Sequence, residues 1–228
     1  MWYDYYYFIL VIPAMLVSLW AQIRVKGTYG KMSKLQNTRG LTGAQAAQRV
    51  LSYYGISDVR IEPVSGTLTD HYDPRDNVIR LSQGVYNAST ISAVGIACHE
   101  AGHAAQHAEN YKPIAVRNAI LPVANIGSSS GLWIAVIGLM LNWTILVQIG
   151  IILYAFVALF QLVTLPVEFN ASSRALKVID ETQMLQGEEY QGARKVLSAA
   201  AMTYVAALLV SIMSLLRLIL RARSNNRR

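Results

Sequence analysis

The sequence has few charged residues and almost no cysteine. Only 14% of its 228 residues are Asp, Glu, Lys or Arg, whereas about 25% are charged in an ordinary soluble domain. Its one cysteine, Cys98, excludes an intrachain disulfide and with it the class of disulfide-stabilised scaffolds. No charged residue occurs from Asn118 to Val167, and about 20 apolar residues are enough to cross a bilayer. The composition therefore predicts a membrane protein that carries one modest polar region.

Four apolar runs predict about four transmembrane helices. Residues 1–23 contain the first helix, which lacks the basic start of a signal peptide and is long enough to span a bilayer. Residues 118–167 contain the second and third helices, at about 119–141 and 144–165. Residues 196–228 contain the fourth helix and an Arg-rich tail. The remaining segments are a polar region at 24–117 and a predicted polar helix at 168–195.

The polar region is predicted to contain both helices and strands. Thr42 is a predicted N-cap ahead of apolar residues at helical spacing up to Tyr54. Strand patterns occur at 59–64, 68–72 and 78–82, and the turn residues between the last two predict a hairpin. Residues 89–108 are again helical in pattern. The predicted fold class is a mainly α-helical membrane protein with a small α+β region, in which this last helix lies beside a short sheet.

The net charge of +7 indicates a membrane surface rather than a nucleic acid. Basic residues flank the apolar runs, among them Arg24, Lys26 and Lys31 on one side and Arg217 and Arg221 on the other. Such positions are typical of topology determinants and of contacts with anionic lipids. No nucleic-acid-binding motif accompanies them. The lipid bilayer is therefore an expected partner, and no nucleic acid is expected.

The helix at 89–108 carries three of the four histidines. Residues 99–103 read His-Glu-Ala-Gly-His, and residues four apart share one helix face, so both imidazoles can bind one metal ion. Glu100 could then take a proton from a water that zinc activates. The alternative is a helix whose histidines are only hydrogen-bonded or solvated. However, placing charges and imidazoles directly after the small, apolar residues 91–98 is costly without a purpose.

Two residues compete as a third ligand. His107 lies about 12 Å from His99 along an unbroken helix, a distance that one ion cannot bridge, and residues 104–106 contain no glycine that would turn the chain. Glu168 is the first charged residue after the long apolar stretch, and two antiparallel spans would return it to the same membrane face. Two histidines, a glutamate and an open position make a catalytic zinc site. Glu168 could also be an N-terminal charge that the helix dipole favours, and both interpretations can hold together.

Four stretches of the sequence are similar to a known family. They are Leu68–Pro74 (LTDHYDP), Val78–Ser82 (VIRLS), Ala97–His107 (ACHEAGHAAQH) and Leu165–Ser172 (LPVEFNAS). With these motifs the chain resembles, over nearly its whole length, the YugP-like family of bacterial membrane zinc metallopeptidases. It is more distantly similar to HtpX and the CAAX prenyl proteases. Those proteins also place a pair of spans between HExxH and a later glutamate ligand.

The resemblance implies a gluzincin-type zinc site, with its base and its three ligands at Glu100, His99, His103 and Glu168. In the distant relatives an aspartate usually follows the glutamate ligand by four residues, and this sequence has Ser172 there. Asn170 is a candidate to supply the missing hydrogen bond to a ligand imidazole, because such outer contacts tune metal affinity.

Two further residues are weaker candidates for the site. His71 precedes the strand ahead of the histidine helix, and in zincin-like sites such strands bind extended substrate. His71 could hold substrate or stabilise an oxyanion, or it could be a turn histidine. Arg174 could orient a carboxylate or the oxyanion, or it could be a surface or lipid-facing arginine. Cys98 points about 100° away from His99 around the helix and is predicted to pack in the interior.

The predicted function is a membrane-embedded zinc endopeptidase that cleaves membrane-associated proteins or peptides. The alternative is a zinc-binding sensor or assembly factor without proteolytic activity, which would not need Glu100. A transporter or channel is disfavoured because no span carries a charged residue at mid-depth. The basic residues beside the site favour a cytoplasmic active site in a multi-pass protein of the cell membrane, but the Arg-rich tail conflicts with that four-span topology. The sequence leaves open a homo-oligomer or a regulatory partner.

Overall fold

A computed structural model describes residues 4–225, and it confirms the prediction of a mainly helical fold with a small sheet. Residues 1–3 of the first predicted span and 226–228 of the predicted basic tail lie outside the described residues. The helices are α1 (Ile12–Met32, which follows a π-helical turn at Tyr7–Val11), α2 (Gly43–Tyr53), α3 (Gln83–Tyr86), α4 (Ile91–Ala108), α5 (Lys112–Ile126), α6 (Leu132–Met140), α7 (Thr144–Glu181) and α8 (Gly187–Asn225). The strands are β1 (Arg60–Val64), β2 (His71–Asp73) and β3 (Val78–Ser82).

The described chain forms two compact units. The membrane unit comprises the residues up to Gln22, Ala115–Pro166 and the residues from Met202 onward. The polar unit comprises Ile23–Ile114 and Val167–Ala201. The two segments of the polar unit contain every candidate site residue that the sequence predicts.

Among the described residues, four helical stretches are long and apolar enough to cross a membrane, as predicted. They are Tyr7–Met32, Lys112–Met140, Thr144–Glu181 and Gly187–Ser224. Only 17 to 33% of the residues in their most apolar windows are buried, so large side chains such as Leu16, Trp133 and Ile152 are exposed. Exposed apolar surface on this scale needs a hydrocarbon environment. The chain is therefore a multi-pass membrane protein.

Within the membrane unit, the second and third spans contact each other through small residues. A Cβ atom on Gly127 would lie 2.2 Å from the carbonyl oxygen of Leu153, and one on Gly150 would lie 2.4 Å from the amide nitrogen of Ala135. Small residues at such points let two helix backbones touch. Between the two spans the chain reverses at Asn142, whose φ of 52° is left-handed. This turn confirms the predicted hairpin of two antiparallel spans.

The sheet of the polar unit is mixed, with β3 between β1 and β2. β1 runs parallel to β3, and β2 runs antiparallel to it with Tyr72 opposite Ile79, which confirms the predicted hairpin. β2 is shorter than predicted and begins at His71 rather than at residue 68. Leu68 is excluded from the strand by its left-handed backbone, whose φ is 57°, because a strand cannot continue through that conformation. β2 is therefore a short edge strand.

The prediction of a separate polar helix after Pro166 is wrong. α7 continues unbroken from Thr144 to Glu181 with Pro166 inside it, and α8 likewise joins polar and apolar residues from Gly187 to Asn225. Proline removes one intrahelical hydrogen bond and often ends a helix, but helices in membranes tolerate it when the flanking turns hold. One continuous helix therefore carries both the third span and Glu168.

Candidate metal centre

α4 holds the histidine motif on a well-capped, largely buried helix. The Oγ1 atom of Thr90 accepts the N–H of Ala93 at 3.3 Å, which satisfies one of the free donors at the start of the helix. Cys98 is fully buried on the inner face, whereas His99 and His103 are half-buried on another face with ring centroids 4.7 Å apart. The sequence prediction that both imidazoles share one face is confirmed.

A backbone contact between α4 and α7 brings Glu168 to these imidazoles. A Cβ atom on Gly102 would lie 2.7 Å from the carbonyl oxygen of Ala171, so only glycine permits this approach. Gly102 directly precedes His103, and Ala171 lies one turn beyond Glu168. The close contact therefore sets how near the two histidines come to the glutamate.

The distances from Glu168 to the two candidate ligand imidazoles match those in a tetrahedral zinc site. The Oε2 atom of Glu168 lies 3.4 Å from Nε2 of His99 and 3.6 Å from Nε2 of His103. Zinc bonds of about 2.0 to 2.1 Å at tetrahedral angles separate neighbouring ligand atoms by about 3.3 Å. All three ligand atoms lie within 4.8 Å of one another, and Glu168 is only 5% exposed. Two imidazoles and one carboxylate in this arrangement fit a zinc ion with one open position.

Each of the two candidate ligand histidines has a hydrogen-bond partner at Nδ1, the ring nitrogen that faces away from Glu168. His103 Nδ1 lies 3.0 Å from Oε1 of Gln106, and His99 Nδ1 lies 3.1 Å from Oγ of Ser172. Asn170, which the sequence analysis considered as this partner, contacts neither imidazole directly. It accepts a hydrogen bond at Oδ1 from Nε2 of Gln106 instead, at 2.8 Å. Ser172 itself, four residues after Glu168, is thus the hydrogen-bond partner of His99.

The direction of this network follows from Arg174. An arginine can only donate hydrogen bonds, and Arg174 Nε lies 2.8 Å from Oδ1 of Asn170, so Asn170 presents its oxygen. Gln106 must then present its amide nitrogen to Asn170 and to the carbonyl oxygen of Val167, at 2.8 Å each. Its own oxygen is left to face His103, so His103 carries its proton on Nδ1. The lone pair of His103 Nε2 therefore points toward the candidate metal position.

Arg174 is held in place from its other side. Its Nη1 atom lies 2.7 Å from Oε2 of Glu109, and its guanidinium lies 5.6 Å from the ring centroid of Tyr54 and 6.0 Å from that of Tyr111. These contacts orient Arg174 toward Asn170 and place it three hydrogen bonds away from His103, through Asn170 and Gln106. Arg174 therefore acts on the candidate ligand His103 through Asn170 and Gln106 and does not contact it directly.

Glu100 is buried and anchored to the edge of the sheet. Its Oε2 atom accepts the backbone N–H of Tyr72 on β2 at 3.1 Å, and only 9% of the residue is exposed. β2 is the edge strand, and its register pairs His71 and Asp73 with β3 on either side of Tyr72. One carboxylate oxygen of Glu100 is thus fixed beside the strand that could pair with an extended peptide.

The local electrostatics favour a positive charge or a cation at His103. Burial alone lowers the pKa of His103, but its contact with Glu168 and the charge of Glu100 outweigh burial and raise that pKa above its ordinary value. The two carboxylates create the negative potential that holds a proton. The same potential attracts a metal cation to the same nitrogen.

The remaining predicted residues do not join the cluster. His71 is exposed at the start of β2, and its Nδ1 lies 2.8 Å from the carbonyl oxygen of Thr69. His107 is exposed, with its ring edge-on to Tyr72 at 6.0 Å. Cys98 is fully buried, which raises the pKa of its thiol, and the prediction that it packs in the interior is confirmed.

Sequence reasoning missed Gln106 and the backbone N–H of Tyr72. The contact between Gln106 and His103 could have been predicted, because residues i and i+3 on a helix are neighbours and Gln106 follows His103 by three residues. Nothing in the sequence could indicate that the N–H of Tyr72 faces Glu100.

Comparison with known proteins gives two matches. A family model described as "Putative neutral zinc metallopeptidase" matches residues 7–223. The chain is 48% identical over 211 residues to "Putative membrane protease YugP" of Bacillus subtilis (strain 168), which covers 92% of this chain and 94% of that protein. No solved structure matches the chain.

Proposed function

The chain belongs to the family of neutral zinc metallopeptidases, and on that premise we propose that it is a gluzincin-type endopeptidase that cleaves membrane-associated proteins or peptides. The observation that carries this proposal is the spacing of three ligand atoms, with Glu168 Oε2 at 3.4 and 3.6 Å from the two imidazole Nε2 atoms. In the proposal His99, His103 and Glu168 hold a zinc ion. A bound zinc would supply Lewis acidity, which lowers the pKa of a coordinated water to about 7.

The residues around the ion have separate tasks in this proposal. Glu100 is the general base that takes the proton from the attacking water and passes it to the leaving amine. Tyr72 orients Glu100 through its N–H, and its edge strand is the place where the substrate backbone pairs. Gln106 and Ser172 keep the two imidazoles in the tautomer that binds zinc through Nε2. Arg174 acts only through Asn170, and His71 lies on the edge strand as a candidate contact for substrate.

The depth of the site supports substrates at the bilayer surface. Glu168 directly follows the uncharged stretch that ends at Val167, and α7 is continuous across this point. Three residues of helix separate Glu168 from Leu165, the end of the predicted span, which is a rise of about 4.5 Å. A peptide bond at the candidate zinc ion would therefore lie within one helical turn of the hydrocarbon boundary.

The proposal places the site on the cytoplasmic face of the cell membrane. Basic residues concentrate in the polar unit near the ends of the apolar runs, among them Lys31, Lys34, Arg194 and Lys195, and cytoplasmic segments carry such an excess. Arg217 of the Arg-rich tail, which counts against this topology, has its charge compensated by Asp4 at 2.8 Å within the membrane unit.

Zinc content tests the ligand set. Elemental analysis of detergent-purified protein should give about one zinc per chain for the wild type and much less for Glu168→Gln and for His103→Ala. His107→Ala is the matched control, since it removes an imidazole from the same helix outside the cluster, and it should retain zinc. Zinc that persists in Glu168→Gln would remove Glu168 from the ligand set.

Cleavage is tested with membrane proteins as the probe. Membrane proteins incubated with reconstituted wild type are analysed for new N-termini and compared with the same sample treated with Glu100→Gln. Loss of a general base costs about 10² to 10⁴ in rate, so the new N-termini should vanish while zinc content stays at the wild-type level. Identical N-termini in both samples would refute the proposal, and zinc binding with no cleavage by the wild type would favour a sensor or assembly factor.

A further inference from the structure

A groove with four cationic side chains lies in the polar unit, outside the candidate metal centre. It has a volume of about 680 Å³ and is formed by the end of α1 and the start of α8. Arg24 and Lys31 line it from α1, and Arg194 and Lys195 line it from α8. Of the described residues that line the groove, none is acidic. Lys31, Arg194 and Lys195 are like charges around one opening, and together they attract an anion.

The two helices make contact beneath the groove and leave its mouth open. A Cβ atom on Gly192 would lie 3.1 Å from the sulfur of Met32, which is only 7% exposed. By contrast, a Cβ atom on Gly27, which lines the groove, would meet nothing within 4 Å. The groove therefore has an apolar floor and enough room above it for a bulky polar group.

The position of the cations along their helices indicates the depth of the groove. Arg24 directly follows the apolar run that ends at Ile23, and Arg194 and Lys195 directly precede the uncharged run 196–216. Arg24, Arg194 and Lys195 therefore lie where a hydrocarbon-spanning segment ends, at the level of lipid headgroups. Basic clusters beside transmembrane helices at this level attract anionic headgroups, and phosphate oxygens accept several hydrogen bonds from arginine and lysine at once.

We propose that this groove is a binding site for the phosphate headgroup of an anionic phospholipid. The phosphate lies in the groove beside Lys31, Arg194 and Lys195. This inference does not depend on the proposed peptidase function, since none of the groove residues belongs to the candidate metal centre.

The test measures lipid-dependent stabilisation of the full chain in an uncharged detergent. The thermal midpoint is recorded against added phosphatidylglycerol, phosphatidylcholine and inorganic phosphate. Phosphatidylglycerol should raise the midpoint at the lowest concentration. Each basic residue contributes about fivefold in affinity for an anionic surface, so Arg194→Gln with Lys195→Gln should raise the half-saturating phosphatidylglycerol concentration about 30-fold.

Two further variants separate the groove from general charge effects. Arg49→Gln with Arg60→Gln removes the same net charge from exposed positions elsewhere in the polar unit and should leave the half-saturating concentration unchanged. Gln191→Glu places a negative charge in the groove without truncating a side chain, and it should weaken the effect of phosphatidylglycerol.

Four results would overturn the assignment. The first is an equal response of the groove variant and the wild type to phosphatidylglycerol. The second is an equal effect of phosphatidylcholine, which would indicate that any lipid stabilises the spans. The third is an equal effect of inorganic phosphate, which would make the groove a site for free phosphate. The fourth is displacement of phosphatidylglycerol by polyglutamate at lower concentration, which would favour an acidic protein segment as the occupant.

Discussion

Substitution of Gln106 by leucine tests whether the buried amide network positions the metal ligand. Gln106 is fully buried and joins His103 to Val167 and Asn170. Leucine has a similar volume but cannot accept the Nδ1–H of His103. With zinc bound at Nε2 the imidazole cannot turn away, so this proton loses its only described acceptor in the interior.

The size of the effect follows from that one orphaned donor. A buried donor without a partner costs about 1 to 3 kcal/mol, and the loss of a contact behind a zinc ligand lowers metal affinity about 10- to 100-fold. The other two groups keep partners, since Asn170 retains Arg174 and the carbonyl of Val167 lies within α7. Gln106→Leu should therefore bind zinc about 10- to 100-fold more weakly, as measured by competition with a chelator at neutral pH.

Two companion variants make the result decisive. Gln48→Leu introduces the same change at an exposed position on α2 and should leave zinc affinity unchanged. Gln106→Glu keeps an acceptor for His103 but sets a carboxylate oxygen against the oxygens of Val167 and Asn170, so it should retain zinc while its thermal midpoint falls. Zinc affinity of Gln106→Leu within twofold of the wild type would refute the positioning role. Equal zinc loss in both Gln106 variants would show that the acceptor is not what matters.

Three other predictions follow from the described contacts. Gly102→Ala should lower stability by about 1 to 3 kcal/mol and weaken zinc binding, because the new Cβ would lie 2.7 Å from the carbonyl oxygen of Ala171; a zinc titration and a thermal melt measure both effects. Asp73→Asn should lower the stability of the protein at neutral pH. On acidification, the stability of this variant should fall less than that of the wild type. The reason is that Arg75 holds the pKa of Asp73 below its usual range, so this stabilisation is present above about pH 4 and disappears as the pH falls below that value. Cysteines introduced by Ser57→Cys and Trp143→Cys should react with an impermeant thiol reagent from opposite sides of the cell membrane, Ser57→Cys only from the cytoplasm.

Each of these predictions has an internal control. Gly30→Ala changes a helical glycine whose Cβ would meet nothing within 4 Å, so it should not destabilise the protein. For the acid titration, thermal midpoints of Asp73→Asn and the wild type that fall in parallel from neutral pH to pH 3 would contradict the reasoning. For the labelling, the wild type is the blank, because Cys98 is fully buried. Labelling of both introduced cysteines from one side would contradict the four-span topology.

Much of the fold follows from patterns that are local in the sequence. The apolar runs, the capped helix after Thr42 and the hairpin at β2 and β3 each depend on residues close together in the chain, and all three are observed. The exception is the helix end predicted at Pro166, where a residue that usually ends helices lies inside a continuous helix. Pro166 indicated a helix end, yet α7 continues through it from Thr144 to Glu181. Helices in membranes tolerate a proline when neighbouring groups satisfy the freed backbone carbonyl.

The candidate ligand cluster was predictable for a different reason. His99 and His103 are coupled by helix geometry alone, and Glu168 could be chosen because the long uncharged stretch made it the first carboxylate to return. The contact that brings these residues together was not predictable. It depends on Gly102 meeting the backbone of Ala171, and a glycine inside HExxH gives no sign of which helix it will face.

Which groups donate and which accept hydrogen bonds around the candidate metal centre could not be predicted from the sequence. From the sequence, Arg174 is a candidate to orient a carboxylate or an oxyanion, since an arginine near a metal centre suggests contact with negative charge. Its Nε donates to Asn170, and because arginine cannot accept a hydrogen bond, this one contact determines the orientation of two amides in turn. The consequence is a proton on Nδ1 of His103 and a lone pair on Nε2. A residue three hydrogen bonds away from a candidate ligand thus decides which nitrogen can bind zinc, through a chain of contacts that no spacing in the sequence encodes.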